Sequence, residues 1–131
     1  MTDDASLNIV VAPIAGTLGA EISGVDLSME LSDETVAEIR QAWLKYLVVF
    51  FRDQVLGLEE FLAFARRVGD PVEYPFVKGI EGFPEIIAVT KLPHETVNFG
   101  GIWHSDTAYL ERPPMGTMLL AREVPPRGGD T

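Results

Sequence analysis

The chain has 131 residues, 47% of them hydrophobic and 9% aromatic, which is the composition of a globular protein with a real core and excludes a disordered one. A formal net charge of −10 argues against nucleic acid, whose phosphates it would repel, and against an anionic membrane surface. With no cysteine, disulfides, thiolate zinc sites, iron–sulfur clusters and cysteine nucleophiles are excluded.

From the N-terminus, Met1-Thr2-Asp3-Asp4 is acidic and lacks the basic-then-apolar order of a signal peptide. Leu7, Ile9 and Val11 alternate with Asn8 and Val10, the period of a first strand. Pro13, Gly16, Gly19 and Gly24 then break the chain into loops with short extended pieces. Residues 32–46 form the clearest helix. Ser32 can cap its first turn, Asp33 and Glu34 complement its positive end, and Leu31 and Val36 have the spacing of a hydrophobic staple. Val36, Ile39, Trp43 and Tyr46 fall on one face. The run Leu47-Val48-Val49-Phe50-Phe51 is β-branched and aromatic, as in a strand buried on both faces, and is far too short for a membrane span. These features predict a soluble, cytoplasmic protein.

Residues 57–68 predict a second amphipathic helix, with Leu58, Phe61, Leu62, Ala65 and Val68 inward and Gly69 just past its end. Trp43, Phe61 and Phe64 read as core, and Arg66-Arg67 as solvated surface charge. Short strands are expected at 86–89, from 102 to 109, and at 115–121, with a loop over 91–101, a Pro113-Pro114 turn and a tight connection over 125–129. Helices in front and strands behind give an α+β class.

In an extended strand, residues i and i+2 point to one face. His104 and Asp106 would therefore project together, with Ser105 facing away. An imidazole nitrogen and a carboxylate oxygen are two thirds of a 2-His-1-carboxylate facial triad, which suits Fe(II) and also zinc or manganese. Taken alone, the tripeptide is better explained by a strand-end histidine hydrogen-bonded to a nearby carboxylate. His94 is the only other histidine. A complete small metal-binding module on His94, His104 and Asp106 is one alternative, although His94 follows Pro93 in a loop.

The surrounding blocks carry more information. Trp103-His104-Ser105-Asp106-Thr107, then Pro113-Pro114, then Gly128-Gly129-Asp130-Thr131 resemble, in order and spacing, the TauD/TfdA family of Fe(II)- and 2-oxoglutarate-dependent dioxygenases. Gly19-Ala20-Glu21-Ile22-Ser23-Gly24-Val25-Asp26-Leu27 and Val48-Val49-Phe50-Phe51-Arg52-Asp53-Gln54 resemble that family's N-terminal pattern, so the likeness runs over nearly the whole chain.

The resemblance implies a partial double-stranded β-helix (a jelly roll) with flanking N-terminal helices, residues 1–131 being the N-terminal part of a single domain. It implies His104 and Asp106 as the catalytic iron ligands and Thr131 as a hydroxyl that helps bind the distal carboxylate of 2-oxoglutarate. The second histidine ligand and the arginine that pairs with the co-substrate have no match in this sequence. By the same resemblance, Tyr74, Asn98, Phe99 and Gly100 are candidate substrate contacts. The implied reaction consumes O2 and hydroxylates a small anionic organic molecule of the sulfonate, alkyl sulfate or aryloxy acid type. Tyr74 and Val77 stand where the taurine enzyme has histidine and tyrosine, which weakens the case for taurine. A barrel interrupted here would leave open strand edges, which favour association into homo-oligomers. With a ligand and the arginine missing, a non-catalytic fragment or pseudoenzyme is the rival expectation.

Overall fold

A computed structural model describes residues 9–97 and 100–127. The chain divides into two compact units, residues 1–70 and 71–131.

The first unit contains β1 (Val10–Pro13), β2 (Ala20–Ser23), α1 (Asp33–Tyr46), β3 (Val49–Phe51) and α2 (Leu58–Val68). The sheet order is β1-β2-β3. β1 runs antiparallel to β2, with Val10 opposite Ser23 and Pro13 opposite Ala20. β2 and β3 are parallel, with Ala20 opposite Val49 and Ile22 opposite Phe51. A parallel pair cannot be closed by a hairpin, and α1 provides the crossover. The first strand begins at Val10, and the residue expected to open it, Leu7, lies outside the described residues.

Both helices form where their sequence signals place them. Ser32 caps α1, its Oγ accepting the Thr35 N–H at 3.2 Å. Val36, Ile39 and Ala42 are its buried residues, while Trp43 and Tyr46 are half-buried. In α2 the N-cap is Gly57, which has no side chain to offer; Glu60 reaches back to the Gly57 N–H at 2.5 Å, the other half of a capping box. Leu62 and Phe64 are buried on α2, and the Phe64 ring meets Phe51 edge-on at 6.0 Å. Ala20, Ile22, Leu27 and Leu56 complete the core with the buried residues of the two helices.

Three expectations for this unit need correction. The segment 47–51 is not a strand buried on both faces: β3 spans only Val49–Phe51, and Leu47 and Phe50 are 63% and 41% exposed. Leu47 ends α1 in the left-handed region (φ +67), which takes it out of the strand, and β3 lies at the sheet edge. Nor is Arg67 a free surface charge. Its guanidinium donates to the Leu31 carbonyl at 2.8 Å and to Asp33 at 2.6 Å, which ties the end of α2 to the start of α1. Gly69 does close α2, its N–H reaching the Ala65 carbonyl, but in extended rather than left-handed backbone.

Two loops share one anchor. The Gln54 side chain accepts the Leu27 N–H at 2.9 Å and donates to the carbonyls of Val25 at 3.2 Å and Arg52 at 3.0 Å. Arg52 pairs with Glu21 across the parallel strands at 3.0 Å. The two N-terminal sequence blocks are thus one piece of structure.

The second unit holds no helix and no paired strand among the described residues, apart from a single bridge between Ile80 and Phe83. The strands expected at 86–89, 102–109 and 115–121 are bends, a turn and irregular backbone. A strand exists only as part of a ladder, and these segments have no neighbouring strand to pair with among the described residues. None of the described residues after Asp70 is buried. The best-tied part is a loop in which the Ile80 N–H bonds to the Ile86 carbonyl at 2.8 Å and the Ile86 N–H to the Phe83 carbonyl at 3.0 Å. Gly79 is required in it, since a Cβ there would lie 2.2 Å from the Pro84 carbonyl oxygen.

Candidate active site

His104 and Asp106 meet although no strand holds them. The Asp106 Oδ1 lies 3.2 Å from His104 Nε2. The chain turns immediately afterwards: Thr107 has φ +41, and the Leu110 N–H bonds to the Thr107 carbonyl at 3.1 Å. The convergence expected from strand alternation is therefore produced by a bend.

The His104 ring has a defined orientation. Its Nδ1 lies 2.6 Å from the Ile102 carbonyl oxygen. A carbonyl only accepts, so Nδ1 carries a proton and Nε2 is the nitrogen turned toward Asp106. Metal-ligating histidines are commonly fixed in this way, the far nitrogen donating to a carbonyl and the near one left free. The alternative occupant of the space is a proton, which converts the pair into an imidazolium–carboxylate bridge. Gly100 packs against the same ring. It has φ +70, and a Cβ there would sit 3.0 Å from His104 Cε1 and 3.5 Å from Nε2. Proposed from sequence as a substrate contact, Gly100 is also the wall that leaves room for the imidazole.

Among the described residues, no three His, Asp or Glu side chains are grouped to hold a metal ion. His94 therefore does not complete a triad with His104 and Asp106, which corrects the small-module alternative. It sits in a turn closed by Glu95, whose N–H bonds to the Leu92 carbonyl at 3.0 Å and whose carboxylate accepts the Leu92 N–H at 2.6 Å. Asn98, Phe99 and Thr131 lie outside the described residues.

Tyr74, the remaining sequence candidate, is connected to the His104–Asp106 pair by a residue that sequence reasoning missed. The Tyr74 and Phe76 rings are edge-on at 5.9 Å, and Phe76 meets the tilted ring of Tyr109 at 5.9 Å. The Tyr109 phenol is pushed above its ordinary value, first by partial desolvation, then by a hydrogen bond with Tyr74, with charge on Tyr74 and on Asp106 adding to it. An aromatic three residues past the carboxylate was the available signal. Tyr74 and Phe76 also line a groove of about 710 Å3 with Val77, Lys78 and Ile80.

Residues 11–131 match the family model described as taurine catabolism dioxygenase TauD, TfdA family. The chain is 35% identical to an alpha-ketoglutarate-dependent sulfate ester dioxygenase of Pseudomonas putida over 96% of its own length and 41% of that protein's. It is 37% identical to an alkylsulfatase of Acinetobacter baylyi over 90% of its length and 37% of that protein's. The crystal structure of a taurine dioxygenase from Burkholderia xenovorans superposes with a TM-score of 0.55 at 40% identity, covering 58% of this chain and 28% of that one. The chain thus spans about two fifths of the length of the curated relatives it matches.

Proposed function

The chain belongs to the TauD, TfdA dioxygenase family, and from that membership we propose that it forms part of an Fe(II)- and 2-oxoglutarate-dependent dioxygenase that hydroxylates a small anionic organic substrate. One observation carries the reading: the Ile102 carbonyl holds His104 Nδ1 at 2.6 Å and turns Nε2 toward the Asp106 carboxylate at 3.2 Å, so that a nitrogen and an oxygen face one space. That donor set fits Fe(II). His104 Nε2 and Asp106 would hold the metal, and a second imidazole from outside these 131 residues would complete the triad. When bound, iron with 2-oxoglutarate supplies the O2 chemistry that inserts the oxygen atom.

The residues of this chain do the positioning. The Ile102 carbonyl fixes the imidazole tautomer, Gly100 fixes where the ring can lie, and Asp106 supplies the negative charge that neutralises part of the metal's. In the same reading, Thr131 helps bind the distal carboxylate of 2-oxoglutarate, Asn98 and Phe99 join Tyr74 at the substrate, and the unpaired segments at 102–109 and 115–121 are the first strands of a jelly roll whose remaining strands lie outside these residues. The names of the two curated relatives favour a sulfate ester, which leaves as sulfate once the adjoining carbon is hydroxylated. Sulfonates and aryloxy acids are the other members of the class.

The test has two steps. The coding sequence beyond the Thr131 codon should supply a histidine and, further on, an arginine. The protein that contains them should then consume 2-oxoglutarate in the presence of Fe(II) and an alkyl sulfate, and lose that activity on Asp106→Ala. Iron-dependent turnover that survives Asp106→Ala would refute the assignment.

A further inference from the structure

Two left-handed residues bracket the His104–Asp106 pair: Gly100, with φ +70, and Thr107, with φ +41. We propose that Thr107 is a positioning residue, whose left-handed backbone aims the Asp106 carboxylate at the His104 ring and so sets the spacing of the metal-binding pair. This deepens the function proposed above and rests on it.

Among the described residues, Leu47, Asp53 and Thr107 are the non-glycine residues with positive φ. Leu47 ends α1, where left-handed backbone is common. Asp53 is of a type that tolerates it, because a short polar side chain can bond locally. Neither explanation serves Thr107. It is β-branched, and such a residue at positive φ is an outlier that its surroundings must hold in place. Outliers of this kind gather at functional sites, and this one follows directly on the second donor of the pair. The Leu110 N–H, bonded to the Thr107 carbonyl at 3.1 Å, closes the turn that holds it.

Asp106 needs such a device more than His104 does. The imidazole is fixed by the Ile102 carbonyl and by the close approach of Gly100. The Asp106 side chain is 68% exposed, so packing does not orient it, and the His104 ring is its sole hydrogen-bonding partner among the described residues. Its direction is therefore set by the backbone on either side. Thr107 is half-buried, whereas residues 103–106 are exposed, so the turn is the better anchored end of the segment. Left-handed backbone also stops a strand. Within the proposed reading, the strand expected over 102–109 ends at Asp106, which leaves the carboxylate at its tip.

The experiment measures Mn(II) affinity of the full-length protein by electron paramagnetic resonance in the parent and in Thr107→Asn, Thr107→Val and Thr107→Pro. Affinity should follow tolerance of left-handed backbone. Thr107→Asn should bind Mn(II) about threefold more tightly than the parent, because the turn is formed in a larger fraction of molecules. Thr107→Val, which keeps the branched Cβ and loses only the hydroxyl, should bind no more tightly than the parent and within about threefold of it. Thr107→Pro, locked at negative φ, should weaken Mn(II) by about tenfold or more. In an Asp106→Ala background the same proline should change the affinity by less than about twofold, since it acts through that carboxylate, whereas a merely structural role would cost as much in both backgrounds. Parental affinity in Thr107→Pro, or an equal proline loss in both backgrounds, overturns the inference. Thr107→Asn binding no more tightly than Thr107→Val also overturns it, and decides the matter where proline prevents folding. A parent that does not bind Mn(II), or whose affinity survives His104→Ala, overturns the underlying function instead, a separate result read in the same titrations.

Discussion

Gln54 Oε1 accepts the backbone N–H of Leu27 at 2.9 Å across 27 residues of sequence. Leu27 itself is 6% exposed, and the same amide closes onto Val25 and Arg52 with its nitrogen. One side chain thereby satisfies three backbone groups in two loops that have no ladder of their own. Gln54→Ala should lower unfolding stability by about 2–4 kcal/mol, since it removes the bonds and strands the Leu27 N–H with little access to water. Urea denaturation checks it, and a loss below about 0.5 kcal/mol would show that water replaces the amide freely.

Leu47 offers the opposite result. It occupies left-handed backbone (φ +67) and is 63% exposed, so its side chain contributes little to the core that would be missed. Relief of left-handed strain is worth roughly 1–2 kcal/mol, against the larger unfolded-state entropy of glycine. Leu47→Gly should stabilise the first unit by about 0.5–1 kcal/mol, measured as a rise in urea midpoint with an unchanged slope.

Metal binding separates the two histidines. Mn(II) affinity of the full-length protein should fall at least tenfold on His104→Ala or Asp106→Ala and stay within twofold of the parent on His94→Ala. Gly100→Val, which touches no ligand atom covalently but occupies the space of the ring, should also weaken Mn(II) several-fold. Loss of binding in His94→Ala would reinstate that residue as a ligand.

Asp26 gives the pH signature. Its carboxylate accepts from the Ser28 hydroxyl at 2.7 Å and from the Ser28 N–H at 2.9 Å, and these bonds, the hydroxyl first, hold it below its ordinary value of 3.8. A folded-state value below the unfolded one means that the turn gains stability above pH 3.8 and loses it as pH falls through the depressed folded value. In an NMR titration, Ser28→Ala should move Asp26 back up toward 3.8. An unmoved titration curve would show that the backbone N–H suffices.

The helices were legible because their signals are local. Ser32, the acidic first turns and the apolar spacing of α1 and α2 need no knowledge of the rest of the chain. The strands after residue 85 were not legible, because an apolar stretch becomes a strand only when another strand accepts its hydrogen bonds. His104-x-Asp106 survived that error: two short side chains two residues apart can converge from a bend as well as from a strand. Arg67 and Gln54 were missed for a common reason. Each reaches partners more than 25 residues away, and nothing in the neighbouring sequence marks a polar residue as an anchor. Tyr109 was missed because its partner Tyr74 lies on a different loop.

The parallel pairing of β2 with β3 has a consequence for the order of events in folding. Its two strands cannot pair until the segment between them has folded back, and α1, which occupies most of that segment, shortens the distance to be closed. The links from Gln54 to Leu27 and from Arg67 to Asp33 close within the first 70 residues. During synthesis these links can therefore form while His104 and Asp106 are still being added to the growing chain.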